Sequence, residues 1–264
     1  MDWFFAFDES ASTWFNDMVK VAVLSASKNT TLTAHCLYDG AANDLTEWLS
    51  KNGVIIHNTT VPFKDRLFSA EVIGANSGTP YSPHHACGAF LRLTAHTFTS
   101  GEVFLYTDCD VMFLDDRITD YEQLCLTLRA VPEIDLAGRR SFNSGVLLIN
   151  REYFRSQYDS LLSLAEASNF YARQYHSYDQ VFLNMHFAGQ WTDLPPEMNW
   201  RPFQGQNEHA SIIHFHGPKP HRIRAILEGN AVEEETSQME DLIRSDQVAY
   251  TTYLAKFNEF LSTA

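Results

Sequence analysis

The run Val103-Phe104-Leu105-Tyr106-Thr107 passes directly into Asp108-Cys109-Asp110. Five residues of this kind read as a buried strand, which must be covered on both faces by other elements. The two carboxylates that follow are spaced i, i+2. If the backbone stays extended, both point the same way. Converging carboxylates repel each other, and a hard divalent cation is the usual resolution. An ordinary acidic loop is the competing explanation, and Asp-x-Asp alone does not decide between them.

The rest of the chain sets that strand in an α/β pattern. Trp3 to Phe7 is a short aromatic run ending at Asp8-Glu9-Ser10, a helix-start cluster, and apolar residues recur at helical spacing from there to about Ser27. Thr31 to Tyr38 reads as a strand, Asn43 to Lys51 as a helix, Val54 to His57 as a strand and His84 to Thr97 as a helix. Gly, Ser, Thr and Pro crowd Gly74 to Pro83, which marks a loop. Further on, the pattern predicts a strand over Phe142 to Ile149, helices over Arg151 to Ala167 and Tyr178 to Phe187, and a short strand over Ile212 to Phe215. Helical spacing returns from Glu235 to Leu261. Alternating units of this kind imply a mainly parallel sheet with helices on both faces. Ligands of such sheets bind beyond the carboxyl ends of the strands, which directs attention to the loops after Phe7 and Thr107. No repeat and no linker interrupts the chain, so it reads as one domain.

Charge narrows the partners. Nineteen basic against 33 acidic residues among 264 leave a formal charge of −14. A field of that sign repels phosphate backbones and anionic lipid, and no basic run offsets it, so nucleic acid is not an expected partner. A phosphate-bearing ligand would need a cation to screen the carboxylates. The longest apolar runs fall far short of the roughly 18 residues of a membrane span. The opening Met1-Asp2-Trp3-Phe4-Phe5 lacks a basic leader region, and the four cysteines (Cys36, Cys87, Cys109, Cys125) show no paired spacing. Together these predict reduced thiols and a cytoplasmic location.

Three further segments carry candidate chemistry. In Ile212-Ile213-His214-Phe215-His216-Gly217-Pro218-Lys219-Pro220, two histidines at i, i+2 precede a lysine. Imidazole ligates manganese or zinc, and the ammonium would suit a phosphate; a surface turn is the alternative. Gly217 should break the strand and leave His216 nearer solvent than His214. In Phe142-Asn143-Ser144-Gly145-Val146-Leu147-Leu148-Ile149-Asn150, Asn143 and Ser144 could hydrogen-bond a polyol or close a turn. In Asp179-Gln180-Val181-Phe182-Leu183-Asn184, a polar opening leads an apolar helix, with an N-cap at Ser177 or Asp179 as the plain explanation.

Taken in order, these four segments resemble glycosyltransferase family 8: Asp-x-Asp after an apolar strand, Phe-Asn-Ser-Gly-Val-x-Leu-Ile-Asn, Asp-Gln-x-x-Leu-Asn and His-Phe-x-Gly-x-Lys-Pro. Phe5-Ala6-Phe7-Asp8 is similar to the family's first strand, and Phe90-Leu91-Arg92-Leu93 to its Tyr-x-Arg-Leu helix. The resemblance runs from Trp3 to about His221. It implies a GT-A fold, an α/β architecture with a Rossmann-like nucleotide-binding sheet, a fused acceptor-side region and C-terminal helices. Over residues 1–264 as one domain, about 1–110 would form the nucleotide-binding half, 111–222 the donor-sugar and acceptor half, and 223–264 the C-terminal helices.

The resemblance also implies function. The reaction would move a hexose from a UDP-sugar to a glycan or other hydroxyl acceptor, with retention at the anomeric carbon and with Mn2+ or Mg2+ as cofactor. Carried over by position, Asp108, Asp110 and His214 would hold the metal. Ala6 and Asp8 would meet the uracil. Arg92, Gly217 and Lys219 would serve the diphosphate side, and Arg92, Asn143, Ser144, Asp179 and Gln180 the donor sugar, with Gln180, Asp179 and Lys219 as the catalytic group. A departing nucleoside diphosphate builds negative charge, which a divalent ion and a lysine stabilise.

Departures from the pattern leave the donor sugar and two other readings open. Val181 stands where the family often has a second acid, and His221 follows Pro220 in place of the usual Trp. Only 31 residues separate Asp110 from Phe142, and Arg139 and Arg140 lie where an acidic sugar-reading residue would be expected. A sugar-nucleotide hydrolase, or a binding protein without transfer activity, are the alternatives.

Overall fold

A computed structural model describes residues 1–9, 13–134, 138–230 and 237–264. Ser10 of the predicted helix start, and residues 235 and 236 at the start of the last predicted helix, lie outside the described residues. The strands are β1 (Asp2–Asp8), β2 (Thr33–Asp39), β3 (Ile55–Asn58), β4 (Val103–Thr107), β5 (Val111–Phe113), β6 (Leu128–Ile134), β7 (Arg140–Asn150), β8 (Trp191–Asp193) and β9 (Ile212–His214). The α-helices are α1 (Thr13–Asn29), α2 (Asp44–Lys51), α3 (Lys64–Leu67), α4 (Ala70–Ala75), α5 (Pro83–Phe90), α6 (Arg151–Ala167), α7 (Gln180–His186), α8 (Pro220–Leu227), α9 (Ser237–Ser245) and α10 (Gln247–Leu261). The chain forms two compact units. One comprises Met1–Ala11, Thr33–Asp108 and Tyr121–Leu194, the other Ser12–Leu32, Cys109–Asp120 and Pro195–Ala264.

The first unit is built on a sheet of seven strands among the described residues, in the order β3-β2-β1-β4-β7-β6-β8. β7 runs antiparallel to both its neighbours, while the β1–β2, β2–β3, β1–β4 and β6–β8 pairs are parallel. The mainly parallel sheet expected from the βα alternation is therefore present, with one reversed strand. Trp3, Phe4 and Phe5 are buried in succession, as are all five residues of β4. Continuous burial means that both strand faces are covered, and each such aromatic side chain removed from water contributes roughly 1.5–3 kcal/mol. Phe104 meets Phe4 edge-on at 5.5 Å between ring centres. Strand order reverses between β1 and β4, so the crevice between Asp8 and Asp108 is the topological switch point of this sheet.

The second unit packs α1, α8, α9 and α10 around a two-stranded ribbon of β5 and β9. Val111 pairs with His214, and Phe113 with Ile212, in antiparallel register. Met18, Val21, Met112, Ile213, Tyr250 and Phe257 share its core. Ser25, fully buried in α1, donates its hydroxyl to the Ala22 carbonyl and accepts from the Phe113 N–H, which ties the ribbon to the helix.

Several boundaries differ from the sequence pattern. The helix expected over His84 to Thr97 winds as α only to Phe90 and continues as a 3-10 turn over Leu91–Thr97. There the Thr94 and Thr97 hydroxyls donate to carbonyls three residues back, a contact suited to the tighter winding. Over the described part of the expected Glu235–Leu261 helix there are two helices, because the Asp246 side chain accepts from the Ala249 N–H and caps α10. Helix α6 coincides with its expected span, capped by Asn150 through the Tyr153 N–H.

Candidate active site

In the first unit the chemistry gathers around Arg92, which the 3-10 turn after α5 directs inward. Its guanidinium donates to Asp108 Oδ1 at 2.8 Å and to the Ser144 carbonyl at 2.7 Å, and its Nε lies 2.6 Å from Asp179 Oδ2. The group also lies over the Tyr106 ring, 4.8 Å from its centre. Burial opposes its charge, but the Asp179 and Asp108 carboxylates more than offset this and raise its pKa further. Arg92 and Asp179 are each only 8% exposed. For Asp179 the balance goes the other way: burial raises its pKa, aided by Asp108, and the pull of Arg92 does not compensate.

Strand β7 and helix α7 complete this cluster. Gln180 Oε1 accepts from the Ser144 N–H at 3.0 Å, from Asn143 Nδ2 at 3.1 Å and from the Ser144 hydroxyl at 3.3 Å. Asn143 Oδ1 accepts from the Gly145 N–H. Asn184, one helical turn after Gln180, accepts from the Phe142 N–H and donates to the Phe142 carbonyl, each at 2.8 Å. The sequence reading assigned Asn184 no role; its i, i+4 spacing from Gln180 was the available signal. The suggested N-cap at Asp179 makes no capping hydrogen bond, since its carboxylate is turned to Arg92. At the end of β1, Ala6 and Asp8 are half-buried. A side chain at Gly88 would put its Cβ 3.1 Å from Asp8 Oδ2, so glycine leaves that carboxylate its room.

Beyond β4 the backbone does not stay extended: Cys109 and Asp110 form a bend before β5. The strand geometry from which the convergence of the two carboxylates was expected therefore ends at Thr107. Asp108 is held to the first unit by Arg92 and by its N–H to the Gly145 carbonyl. Asp110 belongs to the second unit, where its carbonyl accepts from the Phe215 N–H at 2.8 Å.

The second unit assembles its own polar cluster on Asp110. His214 Nε2 lies 3.3 Å from Asp110 Oδ1, and the Lys219 ammonium pairs with Asp110 Oδ2. Lys219 also donates to the Phe215 carbonyl at 3.1 Å. Burial alone would raise the Asp110 pKa; Lys219 and His214 together outweigh it and hold the carboxyl far below the usual range. A carboxylate oxygen and an imidazole nitrogen thus face each other in a buried setting, a donor set suited to Mn2+ or Mg2+ with further oxygen ligands. Beyond β9 the chain turns at Gly217 with φ of 88°, a left-handed conformation that favours glycine. His216 is exposed, and Lys219 stands at the N-terminus of α8 with Pro220 in the first helical position.

Residues 15–222 match the family model described as Glycosyl transferase family 8. The probable glycosyl transferase Gly of Streptococcus gordonii is 35% identical over 114 residues, 40% of this chain and 16% of that protein. Glycosyltransferase GlyA of Streptococcus pneumoniae serotype 4 is 30% identical over 141 residues, 48% of this chain and 20% of that protein. The matches thus span no more than a fifth of the length of these curated relatives. Among solved structures, the galactosyltransferase LgtC aligns with a TM-score of 0.60 and 18% identity over 89% of this chain and 99% of its own. GlyE of Streptococcus pneumoniae aligns with a TM-score of 0.62 and 19% identity over 97% of this chain and 63% of its own. At such identities the likeness concerns the fold, which is GT-A. The family match runs through the Asp-x-Asp, Phe-Asn-Ser-Gly, Asp-Gln and His-Phe-x-Gly segments, the same segments that build the two polar clusters, and the chain belongs to glycosyl transferase family 8.

Proposed function

We propose that this protein transfers a hexose from a UDP-sugar to a hydroxyl of a glycan or other acceptor, with retention at the anomeric carbon. The observation that carries the reading is Asp110: a buried carboxylate kept ionised and flanked by an imidazole and an ammonium. Asp110 and His214, with Asp108 two residues earlier in the chain, would hold a divalent cation, Mn2+ or Mg2+. When bound, that ion supplies positive charge to the departing nucleoside diphosphate.

The chain's own residues do the remainder. Lys219 would leave Asp110 for the leaving diphosphate and stabilise the charge that builds there. Gly217, with no side chain, would let the backbone approach the same group. Asp8 and Ala6, at the carboxyl end of β1, would meet the base. Arg92 would orient Asp108 and Asp179, and Asn143, Ser144, Asp179 and Gln180 would line the sugar. The three donors on Gln180 Oε1 hold its amide in one orientation, which suits a group placed beside the anomeric carbon. Residues 1–264 are read as one GT-A domain, with about 1–110 binding nucleotide, 111–222 serving sugar and acceptor, and 223–264 as its C-terminal helices. The four free, buried cysteines support a reducing, cytoplasmic setting.

The test is incubation with a panel of UDP-sugars, Mn2+ and simple sugar acceptors, followed by proton NMR of the first product. The expected result is transfer with the donor's anomeric configuration kept. Hydrolysis without transfer, or an inverted linkage, would overturn the proposal.

A further inference from the structure

Asn199 ends the short 3-10 turn Pro196–Asn199 in the second unit and is 1% exposed. Its Oδ1 lies 2.9 Å from His214 Nδ1. His214 is as deeply buried, and its other ring nitrogen faces Asp110 Oδ1. A side-chain amide oxygen only accepts hydrogen bonds, so it pairs with a ring nitrogen that carries a proton. With a proton held at Nδ1, Nε2 is the nitrogen that faces the Asp110 carboxylate and that can offer its lone pair to a cation once its own proton has left.

We propose that Asn199 is the positioning residue of the metal site: it fixes His214 in the Nδ1–H tautomer and orients the ring so that Nε2 is the ligating atom. The proposal rests on the reading above that Asp110 and His214 hold a divalent cation.

The backbone around Asn199 is built to hold it in place. The following residue, Trp200, bridges to the strand beside His214: its N–H donates to the Ile212 carbonyl, and its carbonyl accepts from the His214 N–H at 2.8 Å. The 3-10 turn is tied down in turn, since the Glu197 carbonyl accepts from the Ser211 N–H. Asn199 and His214 are therefore carried by two segments clamped to each other on both sides of the contact, and the side-chain pair has little freedom to drift. The Asn199 side chain is placed where it reads the far side of the ring, away from the carboxylate. An acceptor at that position does two things. It removes the competing tautomer, in which the proton would occupy the ligating nitrogen, and it adds electron density to the ring. Groups of this kind change metal affinity by about 10- to 100-fold in other sites.

Three variants of the full chain test the inference, with Mn2+ binding in the presence of UDP followed by the electron paramagnetic resonance of free Mn2+. Asn199→Leu keeps the branched shape and removes the acceptor, and should weaken Mn2+ binding about tenfold or more. Asn199→Asp keeps an acceptor and should bind Mn2+ at least as tightly as the unaltered chain. Nitrogen-15 spectra of the His214 ring, taken without metal, should show Nδ1 carrying its proton in the unaltered chain and in Asn199→Asp, and the form protonated only at Nε2 gaining in Asn199→Leu. If the leucine variant fails to fold, Asn199→Ser, which is too short to reach Nδ1, replaces it with the same expectation. His214→Ala separates the two layers of the argument. If it leaves Mn2+ binding unchanged, His214 is not a ligand and both readings fall. If it abolishes binding while Asn199→Leu and Asn199→Ser bind normally, or if the ring stays in the Nδ1–H form in those variants, the metal site stands and the role of Asn199 is overturned.

Discussion

Asp179 in the first unit and Asp110 in the second are both carboxylates less than a tenth exposed, yet their environments push them in opposite directions. Asp110 is paired with the Lys219 ammonium and faces the His214 imidazole. Asp179 shares one cation, Arg92, with a second carboxylate, Asp108. Burial penalises both charges; only the number of opposing partners differs. The comparison teaches that depth alone does not set the state of an acid in this protein. One carboxylate per cation gives a ligand that stays ionised, whereas two carboxylates per cation give an acid whose ionisation is resisted.

The sharpest way to break this contrast is Asp110→Asn. If Asp110 supplies an obligatory ligand charge, transfer should fall about 10³-fold, the scale of removing one well-placed electrostatic partner; initial rates with the best UDP-sugar and Mn2+ would measure it. A change of less than tenfold would remove Asp110 from the site.

Arg92→Met should act chiefly on the fold. It leaves Asp108 and Asp179 without their shared cation, and loss of one partner from a buried ionic group costs about 3–5 kcal/mol. Urea unfolding at neutral pH should show a loss of unfolding free energy on that scale. The loss should shrink in the double variant Arg92→Met with Asp179→Asn, which takes one of the stranded charges away.

Lys219→Met sharpens the comparison from the second unit. Turnover should drop about 10²-fold if the ammonium serves the leaving group. Mn2+ affinity without nucleotide should hold or tighten, since the ammonium and the metal draw on the same carboxylate. Calorimetric titration showing markedly weaker Mn2+ binding would mean that Lys219 supports the metal site rather than competing for it.

The smallest effect is expected in the pH dependence of stability without metal. The lowered Asp110 pKa contributes stability above the ordinary carboxylate range, near pH 4, and that contribution is lost as pH falls through the folded value. The raised Asp179 pKa has the opposite sign: its folded-state ionisation costs stability as pH rises from that range toward the folded value. Asp179→Asn should therefore be at least as stable as the unaltered chain at pH 7, with a difference on the order of 1 kcal/mol that closes below about pH 4. Asp110→Asn should be less stable at pH 7, and that gap too should shrink in acid. Thermal melts from pH 3 to 7 would show whether the two variants diverge in this way.

Much of the frame was legible beforehand. Strand β4 and helix α6 came from apolar runs and periodicity, because both are long, local signals that packing reinforces. The winding of Leu91–Thr97 was less legible, since hydroxyl back-bonding favours a 3-10 turn over residues whose spacing also fits an α-helix. The strands β5 and β8 have three residues each, too few for a period to register, whereas β9, equally short, was legible only as the apolar lead into a motif. Asn199 carried no motif of its own; its part is visible only because Trp200 pairs beside β9 and brings it to the back of His214.

By itself, the sequence determined which groups were available: an apolar strand ending in Asp-x-Asp, a polar entry into β7, a polar start to α7, and a His-Phe-x-Gly-x-Lys-Pro segment. Their order was enough to point to the family. Tertiary structure alone decided what each group became. Arg92 meets Asp179 across 86 intervening residues, and Lys219 meets Asp110 across 108. A local pattern carries no record of such encounters. The reason is physical: the charge state of a carboxylate depends on how many opposing charges folding brings to it and how much water folding removes, and both quantities exist only once the chain has closed on itself.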